Sequence, residues 1–520
     1  MSLEDTDPLF QLIHSLSKSE KRYFRLHASA MSPAANKKFV HLFDLIEKQK
    51  HYNEKKILRK APHLKPIQLH NLKANLRKQV LRSLRLFGES SSEESTIRNW
   101  IEYARILYNK GLHAQAVKML DKAKKEATQL EQPALLLDIL EFEKHVVMQT
   151  VSEHNEERVA LLISETRTVA RQIDNINRFS NLYARLNSLY VKLGFVRNRE
   201  DHEKVRSFFF SGLPEYEEKK LSFSEKVYLY SSYVSYYFFV QDFRNGYRFA
   251  LKYIALFEED PARITRAPEL YIKGLNNLLV AENKLFLFRE FETNYKKLMR
   301  VHAIKGLHLT EHLQMMLFKY KYMHKINHYF MMGDFTGGTK IISVAEHELD
   351  RFARGMDKHY VLLFYYKVAC LYFGAGNFKR AVNWLNRIIN SRDVELREDI
   401  LSFARILLLI CHYELGNMEL AEYNIRSTYR FLLKKEERFR YHRYILQFMR
   451  NLTRETRGKK LVKEFSALKK KLVPLERHPY EKRLFLYFDI ISWLESKIEK
   501  RPVEKIIREK FERKVKKREP

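Results

Sequence analysis

Apolar residues recur at steps of three and four along most of the chain, a spacing that places them on one face of an α-helix. The clearest stretch runs from about Pro66 to Phe87, and its apolar positions are Leu69, Leu72, Leu76, Val80, Leu81, Leu84 and Phe87. The same stretch contains five basic residues, Lys73, Arg77, Lys78, Arg82 and Arg85. The pattern therefore predicts an amphipathic helix with a basic surface.

Further along, one spacing of bulky and small residues recurs. Its fullest copy is Trp100, Ala104, Leu107, Gly111, Ala116, Leu120 and Ala123. A second copy is Tyr365, Ala369, Tyr372, Gly376, Ala381, Leu385 and Ile388. Shorter copies are Tyr329, Gly333, Gly338, Ile342 and Ala345, and Leu409, His412, Gly416, Ala421 and Ile425. The corresponding positions Gly338, Ala381 and Ala421 lie 43 and 40 residues apart, so the repeat unit is about forty residues long.

Small residues at such positions let two helices approach closely, and a turn glycine permits a positive φ. The spacing resembles that of tetratricopeptide repeats, commonly about 34 residues long, and the resemblance extends over roughly Ile97 to Tyr429. It implies helical hairpins stacked into a solenoid, with a groove for a protein or peptide partner. A generic α-solenoid, whose hairpins share the spacing for packing reasons, is the alternative. Both interpretations predict an all-α fold.

Composition agrees with long helices and short connections. The 520 residues include only 15 glycines and 12 prolines, well below the usual shares of about 7% and 5%. The longest apolar run, Ile400 to Cys411, contains Arg405 and is shorter than the roughly 20 residues that a membrane-spanning helix needs. Two cysteines exclude a disulfide scaffold, and the first residues are acidic where a secretory signal would be basic. We therefore expect a cytoplasmic protein without a membrane span.

The net charge of +32 is concentrated at the two ends. Residues 18–85 carry +14 and residues 430–520 carry +16, whereas the 344 residues from 86 to 429 carry only +5. With a Ser/Glu-rich stretch at 88–96, this partition predicts four regions. They are a basic N-terminal helical domain (1–87), a linker (88–96), the repeat solenoid (97–429) and a basic C-terminal helical segment (430–520).

Unmatched like charge favours an anionic partner. The N-terminal candidates for polyanion binding are the five basic residues of 66–87. The C-terminal candidates are Lys469, Lys470, Lys471, Arg513, Lys514, Lys516 and Lys517. A solvated helical surface is the alternative, and it is supported by pairs such as Glu504 and Arg508, four residues apart in the last predicted helix.

No arrangement of residues points to catalysis. The histidines lack metal-ligand spacing, no nucleophile motif occurs, and Cys370 and Cys411 occupy positions where a small buried residue is expected. The aromatic stretch 228–239 lacks interleaved Lys or Arg, so it is predicted to be core rather than a base-stacking surface. We therefore expect no enzyme activity, no cofactor and no metal site.

The leading hypothesis is a non-catalytic solenoid adaptor. Its repeats would bind a protein or peptide, and its basic ends would bind RNA or the ribosome. The second hypothesis is a DNA-binding regulator whose residues 53–87 form a helix-turn-helix head, with the repeats as a sensor. A scaffold for acidic proteins, without any nucleic acid, is the third.

Overall fold

A computed structural model describes residues 7–31, 33–61, 65–88, 93–149, 155–352, 356–391, 398–434, 439–452, 458–486 and 488–516. All regular secondary structure in these ranges is helical, with no strand, which confirms the all-α prediction. Within the same ranges, no helix is both long and apolar enough to cross a lipid bilayer.

The chain divides into two compact units, Met1–Asp174 and Asn175–Pro520. The first contains α1 (Pro8–Ser15), α2 (Lys18–Met31), α3 (Pro33–Glu47), α4 (Glu54–Lys60), α5 (Pro66–Gly88), α6 (Glu93–Asn109), α7 (His113–Gln129) and α8 (Pro133–Val147). Helix α9 (Asn155–Leu193) crosses the division. Of the linker predicted at 88–96, residues 93–96 belong to α6, and residues 89–92 lie outside the described part of the chain.

The second unit is built from the remaining helices. They are α10 (Arg199–Gly212), α11 (Phe223–Phe239), α12 (Phe243–Glu258), α13 (Ala262–Arg266), α14 (Pro268–Leu285), α15 (Phe288–Arg300), α16 (Glu311–Met332), α17 (Phe335–Thr339), α18 (Ile342–Phe352), α19 (Lys358–Gly374), α20 (Phe378–Ile389), α21 (Glu398–Glu414), α22 (Met418–Lys434), α23 (Arg440–Asn451), α24 (Gly458–Leu472), α25 (Ile490–Glu499) and α26 (Val503–Lys516). Short 3-10 helices lie at Glu218–Lys220, Val301–Ala303, Val473–Arg477 and Glu481–Leu486. Helices that follow one another in the chain pack as neighbours, as α6 does with α7 and α19 with α20.

Several turns between consecutive helices share one backbone geometry. A residue with positive φ donates its N–H to the carbonyl three residues back, and the next N–H reaches the carbonyl five residues back, with N···O distances of 2.8–3.3 Å. This is the pattern that ends a helix through a left-handed residue. The positive-φ residues are Gly111, Glu131, Gln241, Phe286, Gly333, Gly376 and Gly416. From Gln241 onward they follow one another at intervals of 40 to 47 residues, so the turn geometry recurs with a near-constant period.

The small residues of the repeat pattern lie in the core. Ala104, Ala116 and Ala381 are fully buried, and Trp100 packs against the same cluster as Ala104 and Ala116. Gly338 lies where a Cβ atom would come within 2.7 Å of the Leu371 side chain, so the helices are close there. The side chain of Ala421 lies outside the described residues.

The C-terminal segment belongs to the main core of the second unit. Tyr441, Phe465 and Trp493 are buried in the same cluster as residues of α19 and α21. The indole N–H of Trp493 donates to Glu414, at the end of α21, over 2.6 Å. The aromatic stretch 228–239 is also core, because most of its rings are buried, and Tyr233 and Tyr236 stack on Phe249 and Phe209.

Candidate polyanion-binding surfaces

One side of α5 holds the helix in the first unit, and the other side exposes cations. Leu69, Leu76 and Val80 are fully buried. Exposed on the rest of the helix are Arg77, Lys78, Arg82 and Arg85, which we call the α5 cation row. Within the described part of the chain, none of these four side chains has an ion pair or a hydrogen bond. This row is therefore a candidate surface for binding phosphate groups.

Lys73, on the same helix, has a different environment. Its ammonium lies 2.5 Å from the Asp7 carboxylate and 3.5 Å from that of Glu54, and it donates to the Tyr52 hydroxyl over 2.6 Å. Although burial disfavours the charge, the contacts with Asp7 and Tyr52 raise the pKa of Lys73 well above its usual value. Because Asp7 also caps α1, Lys73 joins α5 to the start of the described chain rather than facing solvent.

The three lysines at the C-terminal end of α24 differ in their contacts with the rest of the fold. The Lys469 ammonium is paired with Glu495 at 2.8 Å, and Glu495 also binds Lys510 of α26 at 2.6 Å. Lys471 lies over the Tyr444 ring, 5.8 Å from its centre. Lys470 is exposed, and the described residues offer it no partner. Much of this charge is therefore used within the fold.

Helix α26 is fixed to the second unit by polar contacts. The Glu504 carboxylate accepts from the backbone N–H and the hydroxyl of Thr336, at 3.0 and 2.8 Å. Arg508 lies 3.6 Å from Asp334 and 3.8 Å from Glu504, so the pair expected four residues apart is present. Among the candidates on this helix, Arg513 and Lys516 are exposed, Lys514 lies over the Phe286 ring, and Lys517 is outside the described residues.

A cleft between α22 and α23 brings together cations that were not among the sequence candidates. Arg426, Arg443 and Arg450 line a space of about 690 Å³ with Tyr429, which is 53% exposed. No carboxylate of a described residue lines it. We call this surface the arginine cleft. The signal was present in the sequence, because Arg443 and Arg450 lie seven residues apart, which places them on the same face of α23.

The structure places the two thiols away from solvent. Cys370 and Cys411 are buried and unbridged, and burial raises the pKa of Cys370 to about 12 and that of Cys411 well above its usual value. Such thiols are poor nucleophiles at neutral pH. No group of three or more His, Cys, Asp or Glu residues suited to a metal ion occurs among the residues that the structure describes.

Neither the protein-family models nor the curated proteins compared with this chain gave a significant match. The case for function therefore rests on the surfaces described above.

Proposed function

We propose that the protein is a non-catalytic helical adaptor that binds RNA, free or in the ribosome, through its basic surfaces and a protein or peptide through its helical hairpins. The carrying observation is the α5 cation row, four exposed cations without carboxylate partners in the described chain. Neutralising phosphates with such side chains releases bound counterions, which supplies binding free energy.

RNA is favoured by the arginine cleft. Arg426, Arg443 and Arg450 line it together with Tyr429, whose side chain is exposed. Proteins bind unstacked RNA bases by stacking them on aromatic rings and guanidinium planes, while further cations contact the phosphates. The combination suits a single-stranded loop better than a regular duplex, whose bases are already stacked.

The protein-binding role is supported by the recurring turns. The turns recur at intervals of 40 to 47 residues, with small residues where helices approach closely, and helical hairpins of this kind stack into α-solenoids that bind partners along a concave surface. We propose that the second unit is such an array and that its partner is an extended or helical peptide segment.

The direct test measures binding of the full chain to an RNA hairpin with an unpaired loop and to an RNA duplex of equal length. The variant Arg426→Gln/Arg443→Gln/Arg450→Gln should weaken hairpin binding by about tenfold or more, since each phosphate or base contact is worth on the order of 1 kcal/mol. Tyr429→Ala should weaken binding of the hairpin but not of the duplex.

A matched control is Arg244→Gln/Arg248→Gln/Lys296→Gln, which removes three exposed cations from the same unit that have no partner among the described residues. It should leave binding within about twofold of the original. No binding of either RNA, or equal losses in the control and the cleft variant, would contradict the proposal. Binding of acidic proteins in place of RNA would favour the scaffold hypothesis.

A DNA-binding regulator is the second candidate, and the surface of α5 is what favours it. Asn71 and Asn75 are exposed, and each lies seven residues, or about two turns, before a basic residue, Lys78 and Arg82 respectively. Asparagine reads adenine in the major groove of DNA, and basic groups contact phosphates. On this hypothesis Asn71→Ala/Asn75→Ala abolishes preference among duplex DNA sequences while total affinity falls little. Absence of any sequence preference in the unmodified protein would exclude it.

A further inference from the structure

The second unit contains a cavity of about 360 Å³ that none of the basic surfaces uses. Helices α14, α16, α19 and α26 contribute to its walls, with residues that precede α25. Most of the lining is apolar, including Met323, Phe330, Leu363, Phe373 and Ile507. A mainly apolar pocket of this size with few polar groups is typical of a site for a small organic molecule.

Two ammonium groups enter this apolar space. Lys284 comes from the last turn of α14 and Lys367 from the middle of α19. Lys284 has no hydrogen bond or ion pair with any described residue, and the Lys367 ammonium donates to Asn327 Oδ1 over 2.5 Å. Asp489 is the one carboxylate among the described lining residues, and its two oxygens accept from the backbone N–H and hydroxyl of Ser492.

A buried chain of hydrogen bonds orients the side-chain amide of Asn327, whose oxygen accepts from Lys367. The Asn327 amide group lies 3.4 Å from His324 Nδ1, and His324 Nε2 lies 3.0 Å from Asn276 Oδ1. Burial, and then the charge of Lys367, lowers the pKa of His324 to about 3, so this ring is neutral. A neutral ring that donates from Nε2 accepts at Nδ1, which directs the Asn327 carbonyl toward Lys367. The Lys367 ammonium donates no further hydrogen bond to any residue that the structure describes.

The two ammonium groups are poorly compensated. Burial lowers the pKa of Lys284 to about 8, and burial together with repulsion from Lys284 lowers that of Lys367 to about 7. Tyr190, Tyr366 and Cys370 also line the cavity, and among the described lining residues Asp489 is the one carboxylate. Two like charges in an apolar cavity cost free energy, which a bound anion would offset.

We propose that this cavity binds a small amphipathic monocarboxylate, with its carboxylate held between Lys284 and Lys367 and its apolar body against the aromatic and aliphatic lining. A bare phosphate would match the charge but leave the apolar surface uncovered. An uncharged lipid would cover that surface but leave both ammonium groups without a partner. The site is independent of the RNA surfaces, so it stands or falls separately from the proposed adaptor function.

The first test titrates the full-length protein with decanoate and with 2-naphthoate by calorimetry, which separates an aliphatic from an aromatic ligand body. Two control compounds each lack one recognised feature. Decanol has the apolar chain but no carboxylate, and inorganic phosphate has the negative charge but no apolar body. We expect at least one of the two carboxylates to bind tenfold or more tightly than decanol and phosphate. Equal binding of decanoate and decanol, or binding of neither carboxylate, would overturn the proposal.

Variants then assign the carboxylate to the two lysines. Lys284→Met and Lys367→Met keep a long apolar side chain and remove the charge, so each should weaken carboxylate binding about tenfold or more. Each should also raise the melting temperature of the ligand-free protein, because a poorly compensated buried charge is lost. Lys319→Met is the control, since burial also lowers the pKa of Lys319 but its side chain lies outside the cavity lining. Retained affinity in both cavity variants would overturn the assignment.

The pH dependence of carboxylate affinity tests the proposal on the unmodified protein. The bound carboxylate favours the charged lysines, so affinity should be greatest below about pH 7. It should then fall by about tenfold per pH unit for each lysine that must take up a proton. Binding near pH 8 should take up protons, seen as a dependence of the heat on the buffer. Constant affinity from about pH 6 to about pH 9 would contradict the role of Lys367.

Discussion

Helices α5 and α26 are both basic, but the fold uses their charges in different ways. On α5, four cations project into solvent without described partners, and only Lys73 is held by carboxylates. On α26, Arg508 is paired with Asp334 and Lys510 with Glu495, while Glu509 is bound by Arg501. The comparison teaches that net charge alone does not identify a polyanion-binding surface. Cations without a described partner are the better candidates, so we propose that α5 is the polyanion-binding helix, whereas the contacts of α26 serve mainly to hold it in the second unit.

The largest effect on stability is expected where the turn at Gly333 contacts α26. Gly333 has φ +67°, and a Cβ atom there would lie 2.6 Å from the backbone nitrogen of Arg508. Gly333→Ala should therefore lower the free energy of unfolding by about 2–4 kcal/mol, through backbone strain and displacement of α26. At Gly376, φ is +74° and nothing lies within 4 Å, so Gly376→Ala should cost only about 1 kcal/mol. Denaturant unfolding measures both, and equal costs would mean that α26 is not fixed at this turn.

The two kinds of cation on α5 can be compared directly. The Lys73 side chain is only 17% exposed and binds Asp7, so Lys73→Gln should destabilise the first unit by about 1–3 kcal/mol. Arg77→Gln should change stability by less than about 0.5 kcal/mol, because Arg77 is exposed. Thermal unfolding at neutral pH gives both values. If the two substitutions had the same effect, the division into structural and free cations on this helix would be wrong.

The smallest effect is expected at the exposed end of α26. Arg513→Gln/Lys516→Gln removes two charges from a helix that we regard as structural, and it should change RNA affinity by less than about twofold. Two phosphate contacts would instead change it by more than tenfold at about 0.1 M salt. A loss of that size would show that α26 also binds RNA and would remove the contrast with α5.

The hairpin turns show how much of the fold can be predicted from local sequence. Gly111, Gly333, Gly376 and Gly416 were recognisable because glycine is favoured at positive φ, and all four adopt it. The equivalent turns at Glu131, Gln241 and Phe286 contain no glycine at the positive-φ position, so the residue type there gives no such signal. Periodicity therefore predicts which segments are helical. It also locates the turn between two helices where the turn residue is a glycine.

The candidate site was less predictable, because its charges are paired over long distances in sequence. Lys73 and Asp7 are 66 positions apart, and Arg440, which pairs with Glu481 at 2.7 Å, lies 41 positions from its partner. Counting charges along the chain cannot separate such residues from Arg77 or Arg450. Only the packing of distant helices decides which cations remain free.

The central claim is tested most directly by the salt dependence of RNA binding in three full-length proteins. They are the unmodified chain, Arg77→Gln/Lys78→Gln/Arg82→Gln/Arg85→Gln, and the matched control Lys110→Gln/Lys118→Gln/Lys122→Gln/Lys125→Gln. The control removes four exposed lysines of the first unit that also lack partners in the described chain. If the α5 cation row contacts phosphates, the slope of log affinity against log salt should become shallower by about 3 in the first variant and stay unchanged in the control. Equal changes in the two variants, or an unchanged slope in both, would contradict the account.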